Sequence, residues 1–197
     1  MSVRFEIPEN DGVYFITFTC CNWLPLFEIA KGYHSVYDWF DYFKKQGHMI
    51  AGYVIMPNHV HVIIAFRNTK GKSINKIVGN GKRFMAYDLV KRLKDQGHDN
   101  LLLEMESFVN HTDRKRGKLH EVFEPSFDWK ECLSNTFTEQ KLEYIHNNPC
   151  TGKWNLVASP ELYVHSSGRF YATGEQGIYE VINYMYLQDI NLTKREE

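Results

Sequence analysis

The feature that most constrains the fold is a pair of strand-like runs separated by only two residues. Residues 48–56 and 59–66 are rich in β-branched and apolar side chains, a composition typical of strands. Pro57 and Asn58, which separate them, are residues of turns and breaks. A link this short joins antiparallel neighbours, because parallel strands need a crossover of roughly a dozen residues or more. The segment therefore predicts an antiparallel hairpin.

The rest of the chain mixes helical and strand-like segments. Residues 13–19 are β-branched and aromatic and predict a strand. Residues 30–45 carry apolar side chains at helical spacing, and residues 73–94 also predict a helix. A pair of glycines weakens the middle of the second helix and predicts a break near Asn80. Helices combined with an antiparallel sheet indicate the α+β class.

The second half of the chain is less regular. Residues 122–129 predict a short strand or an ordered loop. Residues 139–148 predict a helix, with Thr138 as its N-cap. The chain from residue 152 to 197 is interpreted as a C-terminal extension, in which residues 180–187 look helical.

Composition excludes several classes of protein. Hydrophobic residues make up 43% of the 197 residues, which excludes global disorder. No apolar run reaches the roughly 20 residues that span a bilayer, and the N-terminus lacks the pattern of a secretory signal. The four cysteines form no C-x-x-C pair, so they suggest neither a disulfide framework nor a zinc knuckle. We therefore expect a cytoplasmic protein.

The charge distribution is more informative than the net charge. Lys plus Arg is 23 and Asp plus Glu is 24, so the formal net charge is −1. This balance argues against a uniformly basic nucleic-acid binder. Residues 70–95, however, hold eight basic residues against two acidic ones, a surplus of six. The remainder of the chain is correspondingly acidic, and one basic face is compatible with DNA binding.

His59 and His61 lie two residues apart in the second strand of the predicted hairpin. On a strand, both imidazoles project from the same face, with Cα atoms roughly 6.5–7 Å apart. That spacing lets two ring nitrogens converge on one divalent cation, with a third ligand from elsewhere in the fold. The alternative is that both histidines fill ordinary half-buried strand positions, although uncompensated imidazoles among apolar neighbours would be costly.

Tyr144 and Asn148 are separated by four residues and share one face of the helix predicted near the end of the domain. Leu142 and Ile145 can anchor a different face in the core. Most tyrosines on helices are packing residues with an exposed hydroxyl, so spacing alone leaves the role of Tyr144 open.

Two segments together resemble the HUH-type single-tyrosine transposases, and in particular their REP-associated branch. The first is Tyr53-Val-Ile-Met-Pro-Asn-His-Val-His61, in which His59, Val60 and His61 supply the histidine, hydrophobic, histidine pattern. The second is Tyr144-Ile-His-Asn-Asn-Pro149, which is similar to the catalytic-tyrosine helix of that family. Weaker likenesses extend the resemblance over residues 13–171.

The resemblance implies a fold and a division of the chain. The family fold is a ferredoxin-like, RRM-like antiparallel sheet with helices packed on it, which agrees with the α+β class. The nuclease domain would cover residues 1–151. The extension at residues 152–197 would pack on the same domain, and residues 95–118 look like an insertion.

The resemblance also implies a chemistry. Tyr144 falls on the family's nucleophile, and His59, His61 and Asn148 fall on its ligands for Mg²⁺ or Mn²⁺. The implied activity is cleavage and rejoining of single-stranded DNA with hairpin ends, through a 5′-phosphotyrosine intermediate. Relatives include dimers that share active sites and monomers, and both states remain open for this chain.

Basic residues near these motifs are candidates for phosphate contact. They are Lys76, Lys82, Arg83, Lys91, Arg92, Arg114, Lys115 and Arg116. The alternative is an ordinary solvated helix face.

Two other functions remain compatible with the sequence. One is a catalytically retired, domesticated regulator that binds DNA hairpins. The other is an unrelated metal-dependent phosphodiesterase that uses the H-x-H pair and forms no covalent protein–DNA species.

Overall fold

The predicted hairpin is half of one four-stranded antiparallel sheet. The computed structural model describes residues 11–67 and 73–187. Its strands are β1 (Gly12–Thr19), β2 (Met49–Met56), β3 (His59–Phe66) and β4 (Asp128–Glu131), in the spatial order β2-β3-β1-β4. Every neighbouring pair is antiparallel. The two-residue link Pro57-Asn58 joins β2 directly to β3, as predicted.

Helices connect and cover these strands. They are α1 (Leu26–Ile29), α2 (His34–Lys45), α3 (Ile74–Asp95), α4 (Asp99–Ser107), α5 (His111–Lys115), α6 (Asn135–Asn147) and α7 (Gly168–Thr173). The principal order β1, α2, β2, β3, α3, β4 is that of a ferredoxin-like domain. The prediction of an α+β, ferredoxin-like antiparallel sheet is therefore confirmed.

Helices α2 and α3 cover the first face of the sheet. Phe40 of α2 and Leu89 of α3 belong to the same buried cluster as Val62 and Ile64 of β3. The predicted break near Asn80 is wrong, since α3 runs unbroken over 22 residues.

A glycine in α3 allows the close contact between these two helices. A Cβ at Gly81 would lie 2.2 Å from Nε1 of Trp39 on α2, so any larger residue would push the helices apart. The glycine that weakens helix propensity is therefore needed for packing.

Helix α6 covers the second face. Leu142 and Ile145 are buried in a separate cluster with Val54 of β2 and Ile63 of β3. Gly52 of β2 permits this approach, because a Cβ there would lie 2.4 Å from Leu142 Cδ2. The helix begins earlier than predicted, at Asn135.

The N-cap of α6 is Ser134 rather than Thr138. The Ser134 hydroxyl accepts a hydrogen bond from the backbone N–H of Phe137 at 3.2 Å. Thr138 lies inside the helix, where its hydroxyl donates to the Ser134 carbonyl. A serine in extended conformation just before the first turn is the better cap, because its oxygen can reach an unpaired N–H.

The C-terminal extension, as far as residue 187, packs along the outer edge of β2. The backbone N–H of Ile55 donates to His165, and that of Ser167 donates to Tyr53. Further along, the N–H of Ile182 donates to the Ile50 carbonyl. Residues 180–187 contain only a three-residue 3₁₀ turn (Tyr184–Tyr186), so the predicted helix there is wrong.

Lys82 of α3 does not lie on the exposed surface that the sequence analysis assigned to it. It is buried, and its Nζ donates to the backbone carbonyls of Glu124 at 2.7 Å and Ser126 at 2.9 Å. Burial lowers the pKa of its ammonium group to about 8. Lys82 thus holds the segment before β4 against helix α3. Its buried ammonium group is not available for phosphate contact at the surface.

Within the described ranges, no helix has the length and apolar character needed to cross a bilayer.

Replacing Lys82 should destabilise the fold. We expect Lys82→Met to lower the free energy of unfolding by about 1–3 kcal/mol, since two carbonyls lose a charged donor. Chemical denaturation measures the change. Lys91→Met is the matched control, because Lys91 is exposed on the same helix and should change stability by no more than about 0.5 kcal/mol. Equal effects of the two substitutions would contradict the structural role of Lys82.

Candidate functional site

The two histidines of β3 project toward the second face of the sheet. Strand alternation places them on the same side as Ile63, beneath α6. Both imidazoles are buried, and their ring centroids lie 4.7 Å apart. The register pairs Thr19 of β1 with His59 and Thr17 with His61, so β1 forms one wall of the site.

The turn residue Asn58 orients His59. The Nδ1–H group of His59 donates to Oδ1 of Asn58 at 2.7 Å, and Nδ2 of Asn58 donates to the Trp23 carbonyl at 3.2 Å. The second bond fixes which end of the amide faces the imidazole. With its proton on Nδ1, His59 keeps a lone pair on Nε2 for a metal or a hydrogen-bond donor.

The cross-strand neighbour Thr17 orients His61 in the same way. Thr17 Oγ1 lies 2.6 Å from His61 Nδ1, and the ring of His61 stacks on that of Phe15. Among the described residues, Nε2 of His61 is buried and has no hydrogen-bond partner. An orphaned buried nitrogen is costly, and a ligand at Nε2 would satisfy it.

The environment holds both imidazoles neutral near pH 7. Burial lowers the pKa of His59 to about 4; a hydrogen bond with the Asn148 side chain opposes this shift, and the charge of Lys153 adds to it. Burial, together with the repulsion from Lys141 and from His59 when it is protonated, lowers the pKa of His61 well below its usual value. Neutral imidazole is the form that binds metal ions.

Helix α6 brings Tyr144 to the histidines of the same chain. The Tyr144 ring centroid lies 5.1 Å from that of His61 and 6.2 Å from that of Phe15. The tyrosine is 51% exposed, so its hydroxyl is accessible to a ligand. Leu142 and Ile145 on neighbouring positions are buried and hold the helix in place.

Asn148 is the C-cap of α6 and retains helical backbone angles, so it lies one turn after Tyr144 on the same face. Its side chain lies close enough to His59 to oppose the lowering of that imidazole's pKa. The structure therefore places His59, His61, Tyr144 and Asn148 at one site, the group of residues that the family resemblance implies.

The donor atoms of this group fit a divalent cation. Two imidazole nitrogens and an amide oxygen form a mixed N/O set that suits Mn²⁺ and accepts other divalent ions. Throughout the ranges that the structure describes, no three His, Cys, Asp or Glu side chains cluster in a way that could hold a metal. The two histidines and Asn148 would therefore form an uncharged set, which binds cations modestly unless a ligand adds negative charge.

Two lysines and two tryptophans at this site were missed in the sequence analysis. Nζ of Lys141 lies 5.8 Å from the Tyr144 ring centroid, and Nζ of Lys153 lies near the rings of Trp23 and Trp154. Lys141 could have been found, because it lies three residues before Tyr144 on the same helix. Trp23 and Lys153 reach the site through tertiary packing, for which the sequence has no local signal.

The predicted basic patch is divided in the structure. Lys76, Arg83 and Lys91 are exposed on α3, whereas Arg92 is bonded to Asp88 at 2.7 Å. Because α3 packs on the first face of the sheet, these residues lie on the side opposite the buried histidines.

The other predicted basic residues lie at and after α5. Arg114, Lys115 and Arg116 are exposed, and Arg116 lines a cleft of about 580 Å³ between α3 and residues 116–125. Lys70 and Lys72, which add to the basic surplus, lie outside the described residues.

Comparison with known proteins shows a shared fold. A solved structure described as a REP-associated tyrosine transposase bound to a REP hairpin superposes with a TM-score of 0.55. The match covers 91% of this chain and 88% of the other, at 16% sequence identity. No protein-family model and no curated protein sequence matches this chain.

Acidification should destabilise the protein through its buried histidines. Burial lowers the pKa of His146 on α6 to about 4, and its Nε2 lies 2.9 Å from Ser167 Oγ. Between pH 6.5 and about 4 the unfolded chain therefore binds a proton that the folded chain does not, and stability falls as the pH falls through this window.

We expect His146→Gln to reduce the loss of stability between pH 6.5 and 4, measured by denaturation at each pH. His111→Gln, the same substitution at an exposed position on α5, is the control. A His146→Gln profile parallel to that of the parent would refute the assignment.

Proposed function

We propose that this chain is a single-stranded DNA transposase or strand-transfer nuclease of the REP-associated tyrosine type. The observation that carries the proposal is the convergence of Tyr144, His59, His61 and Asn148 from two separate elements on one face of the sheet. A fold shared with a transposase bound to a DNA hairpin supports it.

In the proposed reaction, the Tyr144 hydroxyl oxygen attacks the scissile phosphorus of single-stranded DNA. The phenolic proton is lost, a 5′-phosphotyrosine bond forms, and the 3′-oxygen of the upstream strand leaves and gains a proton. Attack by a 3′-hydroxyl on the phosphotyrosine then rejoins DNA and releases Tyr144. The phosphodiester bond energy is conserved, so no nucleotide cofactor is required.

Each site residue has a separate role in the proposed reaction. His59, His61 and Asn148 would hold Mg²⁺ or Mn²⁺, which when bound polarises the phosphate and stabilises the developing charge. Asn58 accepts a hydrogen bond from Nδ1 of His59 and Thr17 contacts Nδ1 of His61, so in both rings Nε2 is the nitrogen left for a cation. A DNA phosphate would add the negative charge that this neutral ligand set lacks.

The accessible Tyr144 hydroxyl should be essential for covalent attachment. We expect Tyr144→Phe to abolish the adduct with 3′-labelled hairpin oligonucleotides carrying randomised single-stranded flanks, while retaining binding. The assay is a denaturing gel with Mn²⁺ present, on which a 5′-phosphotyrosine transfers the 3′ label to protein.

Tyr87→Phe is the control, since Tyr87 is also exposed, on α3, and its loss should leave the adduct intact. An adduct that persists in Tyr144→Phe would exclude this nucleophile. Cleavage of the hairpins by the parent without any labelled protein would favour the metal-dependent phosphodiesterase instead. Hairpin binding with neither cleavage nor adduct would favour the retired regulator.

The proposed metal ligands should set the cation requirement. We expect the His59→Ala/His61→Ala double variant to lose divalent-dependent cleavage. Asn148→Ala should raise the Mn²⁺ concentration needed for half-maximal cleavage about tenfold or more. Asn147→Ala is the matched control, because Asn147 is exposed and lies one residue earlier on α6. Titrating cleavage against Mn²⁺ measures the effect, and full activity of the double variant at low Mn²⁺ would contradict the metal assignment.

A further inference from the structure

An exposed tryptophan stands beside the histidines without a structural role that explains it. The indole of Trp23 is 58% exposed, yet its ring centroid lies 6.2 Å from that of His59. An exposed aromatic ring this close to the histidines can stack a base of a nucleic acid bound there. The Trp23 indole lies at the same end of the sheet as the metal-ligand candidates.

The backbone that presents this ring is held in an unusual conformation. Asn22 and Trp23 both have positive φ values, 50° and 57°, which non-glycine residues seldom adopt. Two hydrogen bonds hold them there: the N–H of Asn22 donates to the Glu124 carboxylate, and that of Trp23 donates to the Cys20 carbonyl within the same turn. Strain of this kind persists where the surrounding structure fixes it, and it is concentrated at functional sites.

The tryptophan is also linked to the metal-ligand candidates through Asn58. One end of the Asn58 amide binds the Trp23 carbonyl and the other binds the His59 imidazole. The same side chain therefore holds the backbone of Trp23 and orients the imidazole of His59.

The positively charged Lys153 lies beside the Trp23 ring. Nζ of Lys153 lies 5.7 Å from the Trp23 ring centroid and 5.1 Å from that of Trp154, and its charge acts on His59. An aromatic face with an adjacent lysine offers a nucleobase a stacking surface and its phosphate a positive charge.

We propose that Trp23 stacks a base of the single-stranded DNA that flanks the scissile phosphate, and that Lys153 binds the phosphate next to it. This proposal rests on the proposed function and adds a positioning subsite to it. Since every base has an aromatic face, the contact would hold the strand in place without reading its sequence.

The test compares two DNA probes of equal charge in the Tyr144→Phe background, which prevents cleavage. One is fluorescein-labelled (dT)12, and the other is a 12-mer of abasic units with the same phosphate backbone. We expect the Tyr144→Phe protein, the parent in this test, to bind (dT)12 more tightly than the abasic strand. Trp23→Ala should weaken binding of (dT)12 about tenfold and leave binding of the abasic strand unchanged.

Three further variants separate the two contacts. Trp23→Phe keeps a ring and should retain most of the affinity for (dT)12. Lys153→Ala should weaken both probes alike and reduce the salt dependence of binding. Phe84→Ala is the matched control, because Phe84 is 63% exposed but lies on α3, on the opposite side of the sheet, and it should change neither affinity.

If the parent, with Trp23 intact, bound the two probes with equal affinity, the proposal would be overturned. Equal losses for both probes in Trp23→Ala would also overturn it. Failure of the proposed function has a different signature, namely no covalent adduct from the chain with intact Tyr144, whatever the effect of Trp23 on (dT)12 binding.

Discussion

The antiparallel pairing of β1 with β3 is the constraint on which the whole site depends. It places Thr17 opposite His61 and gives both central strands two buried faces. Because side chains alternate along a strand, a slip of one residue would turn both histidines toward the opposite face, under α2 and α3. The register is therefore fixed by two hydrophobic cores at once, and this register sets the positions of the histidines.

The chemistry of the site follows from burial. The imidazoles are neutral because charging them inside the sheet would be costly, and Asn58 and Thr17 each contact the Nδ1 atom of one ring. Tyr144, in contrast, stands half-exposed on a helix whose neighbouring side chains are buried. Neutral, buried imidazoles beside an accessible hydroxyl suit a substrate that brings its own negative charge.

Local patterns in the sequence predicted the parts of the fold that local interactions decide. The two-residue link predicted the hairpin, alternation predicted the shared face of His59 and His61, and helical spacing predicted that of Tyr144 and Asn148. Long-range packing decides the rest. A glycine that disfavours helix in isolation is required at Gly81 by a neighbouring helix, and Lys82 is buried because a distant segment crosses it.

The aromatic and cationic rim could not be predicted for the same reason. Trp23 and Lys153 are far apart along the chain and meet only when the sheet and α6 are assembled. The convergence of Asn148 with the histidines was expected from a family resemblance rather than from physical reasoning about the sequence, and in the structure the Asn148 side chain lies near the His59 imidazole.

The extension along β2 has a consequence for how copies of this chain can meet. Strand addition at a sheet edge requires free backbone groups on the outer strand. On β2 the N–H of Ile55 and the carbonyls of Ile50 and Tyr53 are already bonded within the chain. A second copy therefore cannot continue the sheet across β2 unless residues 165–182 first detach, so the chain's own C-terminal segment protects this edge from intermolecular β-pairing.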